Sequence, residues 1–509
     1  MGDGFHPRLF MTETASDSAR PSLLSRLRAF YRRRRRRIIS GFVAVAHTAG
    51  ALTSVEAIME TRTSQGAVAW ALSLNLFPYG AVPAYWIFGH TEMEGYVVAR
   101  RSSAAKFQEV GARLKSSLEE GDLRSEIGKP MGRMLEALAG LSFTRGNDVE
   151  LLIDGERAFE SMFQAIDGAQ SYILVQFYIV RDDELGRKLK DKLIAKARAG
   201  VKVCFIYDEL GSLKLGDAYV RELSDAGVRI TSFSTGQRDG RKFQLNFRNH
   251  RKILVVDGKT GFTGGFNLGD EYVGSHPTLG KWRDTQIRVS GPAATMLQVP
   301  FGEDWFWATG EVLNDLDWEA RESATGGDAV TLCLPTGPAD PLESCALFFL
   351  AVINSAEKRL WIASPYFVPD EAIIAALQLA SLRGVDVRLL IPEQPDSKLV
   401  YYSSYSYLED VKGTGIKIYR YQKGFMHQKV VLMDDDFASV GSANFDNRSF
   451  RLNFEITMAV KDRPFVNDVA SMLQQDFDNS RLMTPDDLDK KSFPFRFSSR
   501  VSRLLAPVQ

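Results

Sequence analysis

Cysteine is scarce: Cys204, Cys333 and Cys345 are the only three in 509 residues, and no two of them form a C-x-x-C pair. An odd, scattered set excludes a disulfide framework and a structural zinc centre, so reduced, buried thiols are expected. Net charge is also lacking, since 63 Lys+Arg are matched by 63 Asp+Glu. The zero is an average. Residues 1–40 hold ten arginines, six of them consecutive from Arg32 to Arg37, against Asp3, Glu13 and Asp17, leaving roughly +7 there and about −7 on the rest. An acidic body lacks the basic footprint of a nucleic-acid enzyme. With 45% hydrophobic residues, the chain can still bury two or three domain cores, which excludes wholesale disorder.

Charge is missing most conspicuously just after the arginines. Ile38–Met59 and Gly66–Gly89 are two apolar runs separated by the polar break Glu60–Gln65, each close to the roughly 20 residues that cross a bilayer. The second has no charge and carries Trp70, Tyr79, Tyr85 and Trp86 where interfacial anchors belong, whereas His47 and Glu56 weaken the first. The reading is a basic, disordered cytoplasmic head (1–37) followed by a membrane hairpin (38–89, with helices about 38–59 and 66–89). Two crossings would return the chain to the cytoplasm by the positive-inside rule. Two runs behind so long a head disfavour a cleaved signal peptide.

Residues 90–145 read as a charged helical connector. Beyond it, buried-strand runs such as Ser171–Val180, Val201–Asp208, Lys252–Gly258 and Val385–Pro392 alternate with helical stretches, which is the α/β pattern. The most informative feature is an internal repeat. HRKILVVDGKTGFTGGFN, from His250, aligns without a gap on HQKVVLMDDDFASVGSAN, from His427. His250 matches His427, Lys252 matches Lys429, Asp257 matches Asp434, Gly264 matches Gly441, and Asn267 matches Asn444. Two similar halves, 146–325 and 326–490, with a tail at 491–509, are the economical architecture.

The spacing carries chemistry. On extended chain His and Lys two apart share a face and can reach one ligand, while Arg251 and Gln428 between them face away. Asp257 and Asp434 have the opposite parity and fall at turns, which suits a role in the fold. Lysine supplies positive charge, an Asn amide can donate to an oxyanion, and histidine can be nucleophile, acid or base. If the halves pack about a pseudo-twofold axis, the two histidines face each other across one phosphate. One then attacks phosphorus and the other protonates the departing alcohol, without a metal. Asp284 and Glu455, on strand-like runs after each copy, are candidates to fix the imidazole tautomers. Tyr366, Asp182, Asp183 and His276 read as packing, turn and loop residues.

With both copies of HxKxxxxD and the following GGFN and GSAN, the chain resembles the phospholipase D superfamily. Within it, AWALSLNLFPYGAVPAYWIFG, QFYIVRDDELG, SPYFVPD and GSANFDNRSFRLNFEI make it similar to bacterial cardiolipin synthases from about residue 66 onward. The resemblance implies two phospholipase D-like α/β sandwich halves with a shared active site. It also implies phosphatidyl transfer between two phosphatidylglycerols, giving cardiolipin and glycerol through a phosphatidyl-histidine. It counts His250, Lys252, Asp257, His427, Lys429 and Asp434 as catalytic, with Asn267, Asn444, Asp284 and Glu455 as their support, and needs neither cofactor nor metal. The expected setting is the bacterial inner membrane, multi-pass, with phosphatidylglycerol and anionic lipid as partners. Hydrolysis of phospholipid to phosphatidic acid is the alternative, because motif residues alone do not decide whether water or an alcohol meets the intermediate.

Overall fold

The computed structural model describes residues 1–2, 23–90, 92–125, 130–234, 246–274 and 276–509, in two units, Met1–Tyr85 and Trp86–Gln509. The first unit is helical. α1 (Leu23–Glu60) contains the whole arginine run, so the part of the expected disordered head from residue 23 to 37 is helix, while residues 3–22 lie outside the described set. Arginine is a good helix former and no Gly or Pro interrupts the chain from Leu23 to Ser40. Arg34–Glu60 is, among the described residues, the one helix long and apolar enough to cross a membrane.

The second run departs from expectation. It is two short helices, α2 (Ser64–Leu76) and α3 (Pro78–Phe88), instead of one spanning 66–89. Phe77, at φ −139° and ψ 56°, leaves the helical region, and Pro78 has no N–H with which to continue the ladder. The chain turns back there. The Trp70 and Tyr85 rings lie 5.2 Å apart, where an unbroken helix would separate residues 15 positions apart by about 22 Å. Ala57, Leu74, Ala81, Val82 and Tyr85 close into one apolar cluster. α2, 13 residues long, rises about 20 Å, short of a hydrocarbon core about 30 Å thick. The ranking of the two runs as spans is therefore reversed.

The second unit begins with α4 (Glu94–Glu120) and α5 (Pro130–Ala139), then two halves of matching topology. The first half supplies β1 (Thr144–Ile153), β2 (Tyr172–Phe177), β3 (Lys202–Asp208), β4 (Arg229–Phe233), β5 (Ile253–Val256), β6 (Thr260–Gly264) and β7 (Thr285–Ser290). The second supplies β8 (Ala329–Thr336), β9 (Arg359–Ala363), β10 (Asp386–Pro392), β11 (Lys417–Tyr421), β12 (Val430–Met433), β13 (Phe437–Gly441) and β14 (Asn453–Lys461). Their spatial orders are β1-β7-β6-β5-β2-β3-β4 and β8-β14-β13-β12-β9-β10-β11, the same path taken twice. Antiparallel pairing of β1 with β8 joins them into one continuous sheet.

Both faces of the sheet are covered, which is why the strands read as unbroken apolar runs. Alternation splits each strand between two cores. Ile173, Val175, Leu254 and Val256 pack beneath α6 (Asp154–Gly168), α7 (Glu184–Arg198) and α8 (Asp217–Asp225). Tyr172, Leu174, Ile253 and Val255 face α9 (Pro292–Thr309) instead. In the second half α10 (Ser344–Ser355), α11 (Glu371–Leu382) and α12 (Lys398–Asp410) lie on one face, and α13 (Arg463–Asp478) shares the other with α9. Asp183 and Asp370 occupy equivalent places as N-caps of α7 and α11, accepting from Gly186 and Ile373 N–H at 2.9 Å each, so Asp183 is the turn residue its sequence suggested. The tail is not loose chain, because α14 (Phe493–Arg503) packs on α12 and the Gln509 carbonyl accepts from Arg448 N–H at 2.6 Å.

Candidate active site

The segment before each His-x-Lys leaves its own half and lies against the other. Arg248–Asn249 pairs in parallel with Asn453–Phe454, and Phe425–Met426 pairs in parallel with Trp282–Arg283. The His250 amide donates to Phe454 O at 2.9 Å and the His427 amide to Arg283 O at 2.8 Å. Each imidazole thus arrives beside the next residue of the opposite half. His250 Nδ1 meets Glu455 Oε2 at 2.9 Å, and His427 Nδ1 meets Asp284 Oδ2 at 2.7 Å. The pairing is crossed: neither half orients its own histidine. Lys252 and Lys429, both buried, follow on the same face and donate from Nζ to the carbonyls of His250 (2.7 Å) and His427.

Burial governs the electrostatics. It drives the His250 imidazole down to about 4 despite Glu455, and the His427 imidazole well below its ordinary value, helped by Lys429 and Lys252. Lys252 falls to about 7 and Lys429 to about 8, again chiefly by desolvation. The two carboxylates differ. Glu455 accepts from His250, Ser442 Oγ, Ser449 Oγ (2.9 Å) and Asn453 Nδ2 (3.1 Å). Burial works against its ionised form, but the His250 contact and these donors hold it below the usual glutamate range. Asp284 has only His427 and the Thr285 N–H (2.7 Å), and burial pushes it up to about 7. Part of the difference traces to one repeat position. Ser442 donates to Glu455, whereas its counterpart Gly265 has no room for a side chain, since a Cβ would stand 2.0 Å from Asp284 Oδ1.

The remaining candidates divide. Asp257 and Asp434 are not brought to the histidines, which corrects their place in the catalytic set. Both adopt left-handed backbone (φ 54° and 53°) at turns, where aspartate is among the few tolerated residues. Asp257 accepts the N–H groups of Gln170, Ser171 and Tyr172 at 2.8 Å each, and Asp434 those of Glu357, Lys358 and Arg359 at 2.7–3.2 Å. They clamp the strand β2 or β9 onto its neighbour. Asn267 is already engaged, donating to Tyr272 OH at 2.6 Å and accepting from Ile179 N–H, whereas the Asn444 side chain makes no hydrogen bond among the described residues. Arg251 and Gln428 do face away, anchoring behind the site on Asp304 and Asp476. Asp304 also accepts from Tyr96 OH of α4 at 2.7 Å, which ties the connector to the back of the site.

Aromatic neighbours were missed in the sequence reading. Tyr178 packs edge-on against His250 at 4.9 Å, and Trp282 and Tyr272 flank His427 at 5.2 and 5.8 Å. A second repeat would have disclosed part of this: Phe177-Tyr-Ile-Val180 and Pro365-Tyr-Phe-Val368 occupy equivalent exits from β2 and β9, so Tyr178 and Tyr366 are counterparts. Tyr366 donates to Asp396 at 2.5 Å.

A duplicated α/β half, with one His-x-Lys from each and its histidine held by a carboxylate of the other, defines a phospholipase D-type protein. The solved phosphatidylserine synthase of Haemophilus influenzae Rd KW20 shares this fold, with a TM-score of 0.56 at 14% identity, covering 75% of this chain and all of that one. The family model described as cardiolipin synthase, PLD-like domain, matches residues 162–280 and 349–480. Cardiolipin synthase A of Pseudomonas entomophila L48 is 45% identical, covering 92% of this chain and 97% of that protein. Cardiolipin synthase A of Pseudomonas aeruginosa PAO1 is 46% identical, covering 92% and 94%. The chain belongs to the bacterial cardiolipin synthase family.

Proposed function

We propose that this protein transfers a phosphatidyl group from one phosphatidylglycerol to another, releasing glycerol and forming cardiolipin. The crossed histidine–carboxylate pairs carry the reading, because they hold two imidazoles from different halves in matched orientation. His250, donating from Nδ1 to an ionised Glu455, presents the Nε2 lone pair as nucleophile. Its Nε2–P bond forms as the P–O bond to glycerol breaks. The raised Asp284 keeps a proton in the other pair, so His427 presents Nε2–H and delivers that proton to the leaving glyceroxide. The acceptor's hydroxyl returns a proton to His427 as its oxygen displaces His250 from phosphorus. Lys252, Lys429 and Asn444 face the phosphate oxygens and supply the charge a metal would otherwise provide. Chelation with EDTA is accordingly expected to leave turnover intact.

The setting follows from the substrate and α1. α1 crosses the bilayer with its arginines against anionic lipid, at about 1 kcal/mol per residue near the surface. α2 and α3 form a re-entrant hairpin instead of a second crossing, and the cytoplasmic body expected from two crossings loses its ground with it. The deciding experiment supplies labelled phosphatidylglycerol to the purified full-length chain in detergent: cardiolipin plus glycerol is expected, and phosphatidic acid as the sole product would refute transfer.

A further inference from the structure

The halves repeat their strands but not the residues that face the two histidines. On extended chain the residue two before each His shares the face of His and Lys. It is Arg248 in the first copy and Phe425 in the second. Four residues after each motif Asn stand Glu271 and Arg448. Glu271 is neutralised by Arg181 at 2.7 Å. Arg448, half-buried, donates only to Asn246 O and Oδ1 and Val508 O, and no carboxylate pairs with it among the described residues. Arg248 donates from Nη1 to Phe247 O at 2.7 Å, and the Tyr178 ring lies against His250 at 4.9 Å. Arg448 reaches Asn246, two residues before Arg248, so the two cations share one neighbourhood. Two described carboxylates around Arg448 are engaged by backbone: Asp208 by the amides of Leu210, Gly211 and Asn249, and Asp446 by that of Ser449. The His427 side is aromatic, with Phe425, Trp282 and Tyr272 within 5.9 Å of the ring.

We propose that Arg248 and Arg448 hold a second phosphodiester, that of the acceptor lipid, one glycerol away from the phosphorus on His250. The assignment rests on the transferase reading. An acceptor whose hydroxyl reaches the phosphohistidine brings its own phosphate with it, and two desolvated phosphodiesters side by side need cations beyond Lys252 and Lys429. Water and uncharged alcohols bring no such charge, and guanidinium matches phosphate in bidentate geometry.

The test lets one intermediate partition between two acceptors. The full-length chain in mixed micelles receives labelled phosphatidylglycerol and ethanol, and the ratio of cardiolipin to phosphatidylethanol is read. Arg248→Gln and Arg448→Gln should each lower that ratio at least tenfold, and the Lys variants less. Misfolding lowers both products and leaves the ratio alone, so a ratio within twofold of the parent overturns the proposal. A parent that makes no cardiolipin fails the transferase reading before any variant is compared.

A separate observation concerns α14, whose polarity is inside out. Ser499 and Ser502 are buried, while Phe493, Phe497 and Val501, spaced at i, i+4 and i+8, are 72%, 60% and 45% exposed, continued by Leu504 at 78%. The Phe493 and Phe497 rings stack on each other in the open at 6.2 Å. Exposed Arg496 borders the stripe, and Arg500 beside it pairs with Glu409 at 2.7 Å. We infer that α14 lies on the bilayer interface, its rings at the acyl boundary and Arg496 at anionic headgroups, placing the body against its lipid substrate. All three native cysteines are buried, so Phe497→Cys offers a single site for a polarity-sensitive dye. In nanodiscs containing phosphatidylglycerol its emission should shift to the blue and be quenched by brominated acyl chains, while a dye on Asp191→Cys stays in water. A water-like Phe497→Cys signal in those nanodiscs, or a blue shift that follows protein concentration without lipid, overturns the inference, the latter in favour of a second copy as the occupant.

Discussion

At the scale of residues, the two carboxylates are the informative pair. Glu455 has four donors and Asp284 two, and that inequality assigns unequal tasks to histidines that are otherwise equivalent. His427→Ala should still form a labelled phosphoenzyme in a single turnover, whereas His250→Ala should form none; steady-state activity should fall by about 10²–10⁴ in both. Label on the His250→Ala protein would reverse the roles. Crossing predicts its own energetics. Glu455→Gln should be strongly non-additive with His250→Ala and nearly additive with His427→Ala in a double-mutant cycle on kcat/KM.

The pH dependence follows from the same groups. His250 is neutral, as a nucleophile must be, above about 4. Lys252 and Lys429 lose their charge as pH rises through about 7 and 8, and Asp284 gives up its stored proton near 7. Deprotonation removes both the attraction for phosphate and the acid, so kcat/KM should rise through about pH 4 and decline above about pH 7. Vanadate affinity should weaken over the same upper limb, and binding that tightened from pH 7 to 9 would contradict this.

At the scale of elements, the turn at Phe77–Pro78 matters most. Composition marks Gly66–Gly89 as the better span, but hydropathy is blind to a single proline that converts about 36 Å of helix into two short pieces turned so that Trp70 meets Tyr85. Cysteines introduced at Arg36 and Ser64 should therefore label from opposite faces of sealed vesicles, and one at His90 from the face of Ser64. Labelling of His90 with Arg36 would restore two crossings. The motif aspartates also act at this scale, each holding three amides of the adjoining strand. Asp257→Ala should cost about 1–3 kcal/mol in urea unfolding while the folded fraction keeps turning over; loss of turnover at full stability would return Asp257 to the catalytic set.

At the scale of the whole molecule, one sheet runs through both halves and each histidine site draws on both. Asp284 serves the second half's histidine and Glu455 the first's, so neither half contains a complete acid–base pair. The helices α9 and α13 fill a common core across the junction. Separately expressed halves should thus be inactive, even where each retains its own His-x-Lys.

The sequence by itself determined the α/β class and the duplication and aligned His250 with His427 and Lys252 with Lys429, because a gapless repeat of polar residues and period-2 alternation are properties of a linear chain; Asp284 and Glu455 lie outside that repeat, and strand-like runs and the family resemblance marked them. The turn role of Asp257 and Asp434 was legible from parity alone. Tertiary structure alone decided which carboxylate meets which histidine, since that depends on Arg248–Asn249 and Phe425–Met426 crossing to the opposite half, pairings of segments 205 and 143 residues apart with no local signal. It also decided that His427 is flanked by aromatic rings, and that a charge-free run of membrane length is broken and turned at Phe77–Pro78.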